Sequence, residues 1–232
     1  MNKKLLKSIV CIAAGVGIAT SIPFATTSCG SSSSEEKINP LPDTVYNIDA
    51  NDVLKGFKED IDLSEYDGIC NAMQIPARVT SVDQEAFFKD ELSTIPSFIK
   101  NLTFAESSNC SLINNEAFKY CSSLTSVNLL NCSNLTSINP CAFDSSSKLA
   151  SVSFPSSLTE IDSFAFVGCS NINSIIWNAW KGLLQANNAF SSVCPGGTVK
   201  VTNPKDKYDI EALLTYLQEK CGLSNTWQVA KD

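Results

Sequence analysis

The chain has 232 residues, 44% of them hydrophobic and 18% charged, and 17 Lys+Arg against 24 Asp+Glu give a formal charge of −7 and a pI near 4.7. That length fits one domain with appendages, and an acidic chain with no basic run lacks the clustered Lys and Arg that phosphate binding needs, so nucleic acid is not expected as a partner. Histidine is absent, which removes His–Asp–Ser and Cys–His catalysis, His-ligated zinc and His-based pH switching.

At the N-terminus Lys3, Lys4 and Lys7 precede an apolar run from Ile9 to Ala25, followed by Thr26-Thr27-Ser28-Cys29-Gly30. A positive start, an apolar stretch and small residues before a cut form the signal-peptide pattern. A cysteine directly after them resembles the lipoboxes of mycoplasma-type lipoproteins, so residues 1–28 are expected to be a lipoprotein signal peptide and Cys29 the lipidation site. The alternative is an uncleaved anchor, since about 17 apolar residues just reach across a bilayer. Both readings put the rest of the chain on the extracellular face of the cell membrane. Cleavage removes three lysines and no acids, so the basic count falls from 17 to 14 against 24 acids, a balance of −10. Residues 29–44, Ser-rich and then marked by Pro40 and Pro42, read as a polar tether.

Beyond the tether the chain repeats. Ala-Phe recurs with its phenylalanines at Phe87, Phe118, Phe143, Phe166 and Phe190, spaced by 31, 25, 23 and 24 residues. With Phe as position zero, −5 holds Val82, Ile113, Ile138 and Ile161, and +6 holds Leu124, Leu149 and Ile172. Position +9 holds Val127, Val152 and Ile175, and +11 holds Leu129, Phe154 and Trp177. The first unit reads as slipped by one residue at Leu92 and Ile95, with an insertion placed around Phe104–Cys110. The fifth keeps Ala189-Phe190 and loses most other columns. Units this short cannot bury an apolar face alone and must stack into a solenoid. The L-x-x-V-x-L run reads as a short strand with +9 and +11 inward, which sends +8 and +10 to solvent.

The motif I-x-x-x-A-F-x-x-C-x-x-L-x-x-V-x-L, as in Ile113–Leu129, resembles the BspA-like leucine-rich repeat family. The resemblance implies a leucine-rich repeat solenoid, β-rich and right-handed with parallel short strands, and a bacterial surface protein that in some members adheres to host proteins or cells. It brings no shared catalytic residues, so no enzyme and no cofactor are expected. Residues 45–75 are then an N-terminal cap, 76–201 the solenoid of about five repeats, and 202–232 a C-terminal helical cap. In that last segment Ile210, Leu213, Leu214 and Leu217 have helical spacing, Gly222 suits the stop, and Trp227 and Val229 complete the seal.

Eight cysteines follow Cys29. Cys121 and Cys169 share the +3 column with Asp90 and Ser146, and as two coils separate them by roughly 10 Å they are too distant to bond. The sequence favours free thiols over disulfides and gives no C-x-x-C metal pair. Asp83, Asn114, Asn139 and Asp162 share the −4 column, read as a turn-favouring polar stack with weak cation binding as the alternative. The expected ligand-facing sheet carries Ser126, Ser151 and Ser174 at +8 and Asn128, Ser153 and Ile176 at +10, while the five Phe form the repeat core. The expected function is a lipid-anchored surface module binding a host or neighbouring-cell protein, membrane-attached through acylated Cys29. The alternative is a structural or decoy surface antigen without a defined ligand.

Overall fold

The computed structural model describes residues 37–178, 188–202 and 208–230. The expected signal peptide, the expected lipidation site Cys29 and the expected tether up to residue 36 lie outside the described residues. No helix among the described residues is long and apolar enough to cross a membrane.

Two sheets run the length of a β-solenoid with parallel strands. The larger has seven strands, all parallel. In spatial order they are Ala72–Ile75, Asn101–Phe104, Ser126–Asn128, Ser151–Phe154, Ser174–Trp177, Thr198–Val201 and Gln228–Val229. The smaller has six: the antiparallel pair Tyr46–Ile48 and Val53–Phe57, then the two-residue strands Ser81–Val82, Leu112–Ile113, Ser137–Ile138 and Glu160–Ile161 in parallel. The coils of Phe87, Phe118, Phe143 and Phe166 each contribute one strand to each sheet and turn between them at Ala-Phe.

That corner explains the dipeptide. The backbone N–H of each Phe donates to the carbonyl of the Ala one coil on: Phe87 to Ala117, Phe118 to Ala142, Phe143 to Ala165 and Phe166 to Ala189, at 2.7–2.9 Å. Left-handed residues bracket it, at −2 (Glu85, Glu116, Cys141, Phe164, Asn188; φ from 52° to 60°) and at +2 (Tyr120, Ser145, Gly168, Ser192; φ from 56° to 70°). The rings stack in register. Centroids lie 5.2, 5.0, 4.9 and 5.1 Å apart from Phe87 through Phe118, Phe143 and Phe166 to Phe190, with planes within 14° of parallel. All five are fully buried. Phe57 continues the column at 5.0 Å from Phe87, edge on, and Tyr46 stacks on Phe57.

The first coil departs from the sequence reading. Leu102 pairs with Val127 and Asn101 with Ser126, so Leu102 holds the +9 column, Phe104 the +11 column and Ile99 the +6 column. The extra residues therefore sit between Phe87 and Ile99, not at Phe104–Cys110. They form the antiparallel hairpin of Phe88–Lys89 and Leu92–Ser93. Leu92, read as a core column, is 69% exposed. Cys110 falls eight residues before Phe118, in the apolar column of Val79, Leu135 and Leu158, all buried.

Both ends are built into the solenoid. Pro40 bridges to Ala72, and Leu41 is buried and donates to the Ala72 carbonyl, so the fold begins inside the stretch read as tether. Residues 72–75, read as cap, already form a strand of the large sheet. In the fifth unit Val199 and Val201 pair with Ile175 and Trp177, so it keeps the +9 and +11 columns. The helix Tyr208–Lys220 then packs Leu213 and Leu217 onto the open end. Gly222 (φ 85°) ends it, and Cys221 accepts from the Phe190 N–H where other coils use Ala. Trp227 is 2% exposed and its Nε1 donates to the Cys194 carbonyl at 3.0 Å. Val229 pairs with Val199 and adds the last strand.

Phe143 lies between two parallel rings at the centre of the array. Phe143→Ala is expected to destabilise the protein by about 3–5 kcal/mol, because the neighbouring coils cannot collapse into the cavity without breaking their own register. Urea denaturation of wild type and variant checks this; a loss under about 1 kcal/mol would contradict the stack as the core.

Candidate binding surface

The large sheet presents two solvent-side columns. By strand register the first contains Ala72, Asn101, Ser126, Ser151, Ser174, Thr198 and Gln228, and the second Gln74, Thr103, Asn128, Ser153, Ile176 and Lys200. Between and beside them the +9 and +11 residues from Leu102 to Val201 are buried, so the inward and outward faces are as the alternation predicts. Thr198, Lys200 and Gln228 are exposed, while Ser126, Asn128, Ser151, Ser174 and Ile176 are half-buried.

Ala72 and Ser153 are the exceptions, both at 0% exposure, and the Ser153 Oγ has no hydrogen-bond partner among the described residues. The register partners of Ser153 are Asn128 on one side and Ile176 on the other, so a short hydroxymethyl sits between two larger side chains about 4.8 Å away on each flank. The six expected ligand-facing residues therefore stand on one face, but five of them, not six, reach its surface. Ser126 Oγ donates to Asn101 Oδ1 at 2.6 Å, and Asn128 Oδ1 accepts from the Leu130 N–H at 3.0 Å. Lys200 is the single charge on these two columns. The face is polar, nearly uncharged and held flat by main-chain pairing, so a partner would have few ions to desolvate there.

Sequence reading missed how the other polar columns are consumed. The hydroxyls seven residues before each Phe hand hydrogen bonds down the coils: Ser111 to the Thr80 carbonyl, Thr136 to that of Ser111 and Thr159 to that of Thr136, at 3.2–3.3 Å. In the −4 column Asn114 Nδ2 donates to the Val82 carbonyl at 2.9 Å, and Asn139 Nδ2 to Asn114 Oδ1 at 3.3 Å. Asp83 pairs with Lys55 at 2.8 Å. These amides and acids serve as inter-coil ties, and no cluster of three or more His, Cys, Asp or Glu suited to a metal occurs among the described residues.

The cysteine column is also a tie. Ser93, not Asp90, sits beside Cys121, with its Oγ 3.4 Å from Sγ, because the hairpin shifts the count. Ser146 Oγ donates to the Phe118 carbonyl at 3.1 Å and Cys169 Sγ to the Phe143 carbonyl at 3.0 Å. A small donor is what the position requires, which is why Ser and Cys alternate there. The eight cysteines are free thiols, six of them buried, with Cys141 and Cys194 half-buried. Burial pushes the Cys110, Cys121 and Cys221 thiols up to about 12 and raises Cys132 and Cys169 as well.

The BspA type leucine rich repeat region, a family of six repeat copies, matches residues 65–175 and 96–211. The chain belongs to this family. It is a family of repeat modules, generally non-enzymatic, of the protein-interaction kind. No curated protein matches the chain by sequence. Among solved structures, a T. pallidum leucine rich repeat protein is 17% identical, covering 81% of this chain and 100% of its own, with a TM-score of 0.48. A leucine rich cell surface protein from Faecalibacterium prausnitzii A2-165 is 19% identical over 70% of this chain and 54% of its own, with a TM-score of 0.36. The pneumococcal vaccine antigen PcpA is 14% identical over 70% and 68%, with a TM-score of 0.24.

The thiol environments give a direct check. A thiolate is the reactive form, and burial both hides the sulfur and suppresses ionisation. Native protein treated with iodoacetamide at pH 8 is expected to be modified, among these eight cysteines, at Cys141 and Cys194 only, with all eight reacting in 8 M urea without reductant. Peptide mass mapping reads the pattern; a cysteine that reacts in urea only after reduction would mean a disulfide.

Proposed function

We propose that this chain is a lipid-anchored surface protein whose repeat domain is a protein-binding module, with the outer face of the seven-stranded sheet as the contact surface. The observation that carries the reading is that face: two columns of Ser, Asn, Thr and Gln with a single charge, set on a rigid parallel ladder and continuous across six coils. A pre-formed surface loses little entropy on binding and has few ions to desolvate. The absence of histidine and of any motif pairing a nucleophile with a base supports a binding role rather than a catalytic one. The partner is a protein on a host or neighbouring cell.

Attachment follows from the sequence. The apolar run ending at Ser28-Cys29 supports cleavage before Cys29 and its acylation, with residues 30–39 as a short polar spacer. Each buried methylene of an acyl chain contributes about 0.8 kcal/mol, so two chains hold the protein firmly at the membrane.

Two outcomes are expected. Ser151 and Ser174 face one another on adjacent strands, so Ser151→Glu with Ser174→Lys puts an ion pair on the sheet that should leave stability within about 0.5 kcal/mol. In pull-downs of purified matrix and cell-surface proteins by the full-length chain in detergent, this pair of substitutions should reduce capture at least about tenfold, equivalent to about 1.4 kcal/mol. Undiminished capture by the folded variant moves the contact off the sheet, and no capture by the wild type favours the antigen without a ligand. Separately, expression of Cys29→Ala in a bacterium with lipoprotein processing should yield a slower-migrating precursor that lacks the fatty acid label. Identical migration and labelling of both forms would remove acylation at Cys29.

A further inference from the structure

The hairpin inserted in the first coil makes one wall of an open groove of about 520 Å³, whose other wall is the corner of the next coil at Tyr120–Ser123. Three features here are unlike the equivalent positions elsewhere in the array. The first is Tyr120. It occupies a left-handed position (φ 56°) that the other coils give to Ser145, Gly168 and Ser192, and a bulky side chain there is a genuine conformational outlier. The ring is 39% exposed even so. It is also fixed: Phe88 packs against it edge on at 5.6 Å, and Lys119 Nζ lies 5.5 Å from its centroid. The lysine is in turn held by Glu116 at 2.5 Å and Asp144 at 3.7 Å. Strain held in place by its surroundings concentrates where a protein binds something.

The second feature is Ser123, which lines the groove, is 9% exposed and has an Oγ without a hydrogen-bond partner among the described residues. A hydroxyl stripped of water and left unpaired is unfavourable; the Oγ itself is covered, and a turn of the Ser123 side chain toward the groove would let a polar ligand recover it. The third is the remainder of the lining. Leu92 and Ile95 add apolar surface, Ser97 and Ser122 add hydroxyls while Ser93 and Ser145 donate theirs to Cys121 Sγ and Asp144 Oδ1, and Glu91 is the single charged residue.

The geometry points to a neutral-carbohydrate site in this groove, separate from the sheet face and independent of the reading of that face. A sugar has an apolar C–H face and a rim of hydroxyls that both donate and accept. An exposed, immobilised tyrosine ring suits the first, and serine hydroxyls, which likewise donate and accept, suit the second. The volume is in the range of small-ligand sites. The lone acid on the lining disfavours sialylated, sulfated or phosphorylated sugars, which would bring like charge against Glu91, and Lys119 beside Tyr120 is already paired with Glu116 and Asp144. A peptide is a poorer occupant, because its affinity would come from side-chain anchors in closed apolar pockets, and this groove is open, with its apolar surface shared among Leu92, Ile95 and Tyr120 and edged by serines.

The test uses the full-length chain in detergent micelles on an array of neutral oligosaccharides, their sialylated counterparts and unglycosylated peptides, with calorimetric titration of the best-bound neutral oligosaccharide. Tyr120→Ser installs the residue that the next coil has at Ser145, so it relieves strain and should hold or raise the melting temperature. Binding of neutral oligosaccharides is expected, weakened about tenfold or more by Tyr120→Ser and several-fold by Ser123→Ala, with capture of proteins through the sheet unchanged by either. If Tyr120→Ser lowers the melting temperature, Ser123→Ala decides the matter alone. Retention of no neutral oligosaccharide, preference for the sialylated forms or for peptides, or wild-type affinity in a folded variant overturns the assignment.

Discussion

Everything in this molecule depends on the need for each coil to be covered by the next. A unit of 23–25 residues has too little apolar surface to close a core of its own, and the phenylalanine at each Ala-Phe corner is where that deficit is met. Ring separations of 4.9–5.2 Å match the spacing of hydrogen-bonded strands, so one translation satisfies the ring column, both sheets and the Phe-to-Ala hydrogen bonds together. This is also why the ends are not blunt. Tyr46 and Phe57 extend the column at one end, and at the other the helix delivers Cys221 to the corner ladder and Trp227 to the seal.

The same translation dictates the polar residues. A donor repeated once per coil meets a carbonyl of the previous coil, so Thr and Ser at −7, Asn at −4, and Ser or Cys beside the Phe become ladders of ties rather than independent sites. The cysteines belong to this logic. Cys169 serves as a small buried donor in a position that Ser146 fills one coil earlier, and Cys110 replaces an aliphatic residue in an apolar column. Their count alone invites disulfides, whereas the stacking geometry uses them as fillers.

What remains for function is what the stacking does not consume. On the sheet these are the outward residues, which the ladder holds rigid without engaging most of their side chains. At the first coil it is the hairpin, where the period breaks and the array gains a second wall. Periodic surface and aperiodic insertion offer different chemistry: the first is broad, flat and nearly uncharged, and the second is concave, rich in hydroxyls and furnished with a strained aromatic ring.

The sequence by itself determined the architecture, because five Ala-Phe pairs with coincident apolar columns leave stacking as the only way to bury them. It also determined the inward and outward faces of the strands and the C-terminal helix with its glycine stop, since each rests on local alternation or spacing. Tertiary structure alone decided the register of the first coil. Leu92 and Ile95 imitate the +6 and +9 columns closely enough to misplace the insertion, and only main-chain pairing of Leu102 with Val127 moves it to the hairpin before Ile99. Burial of Ser153 depends on the two strands flanking it, which lie more than twenty residues away in either direction. Inclusion of Pro40 and Leu41 in the fold depends on the free edge that Ala72 offers them. Apolar letters carry a period but no hydrogen bonds, and where the period is interrupted the lateral pairing of distant strands fixes which residue lies above which.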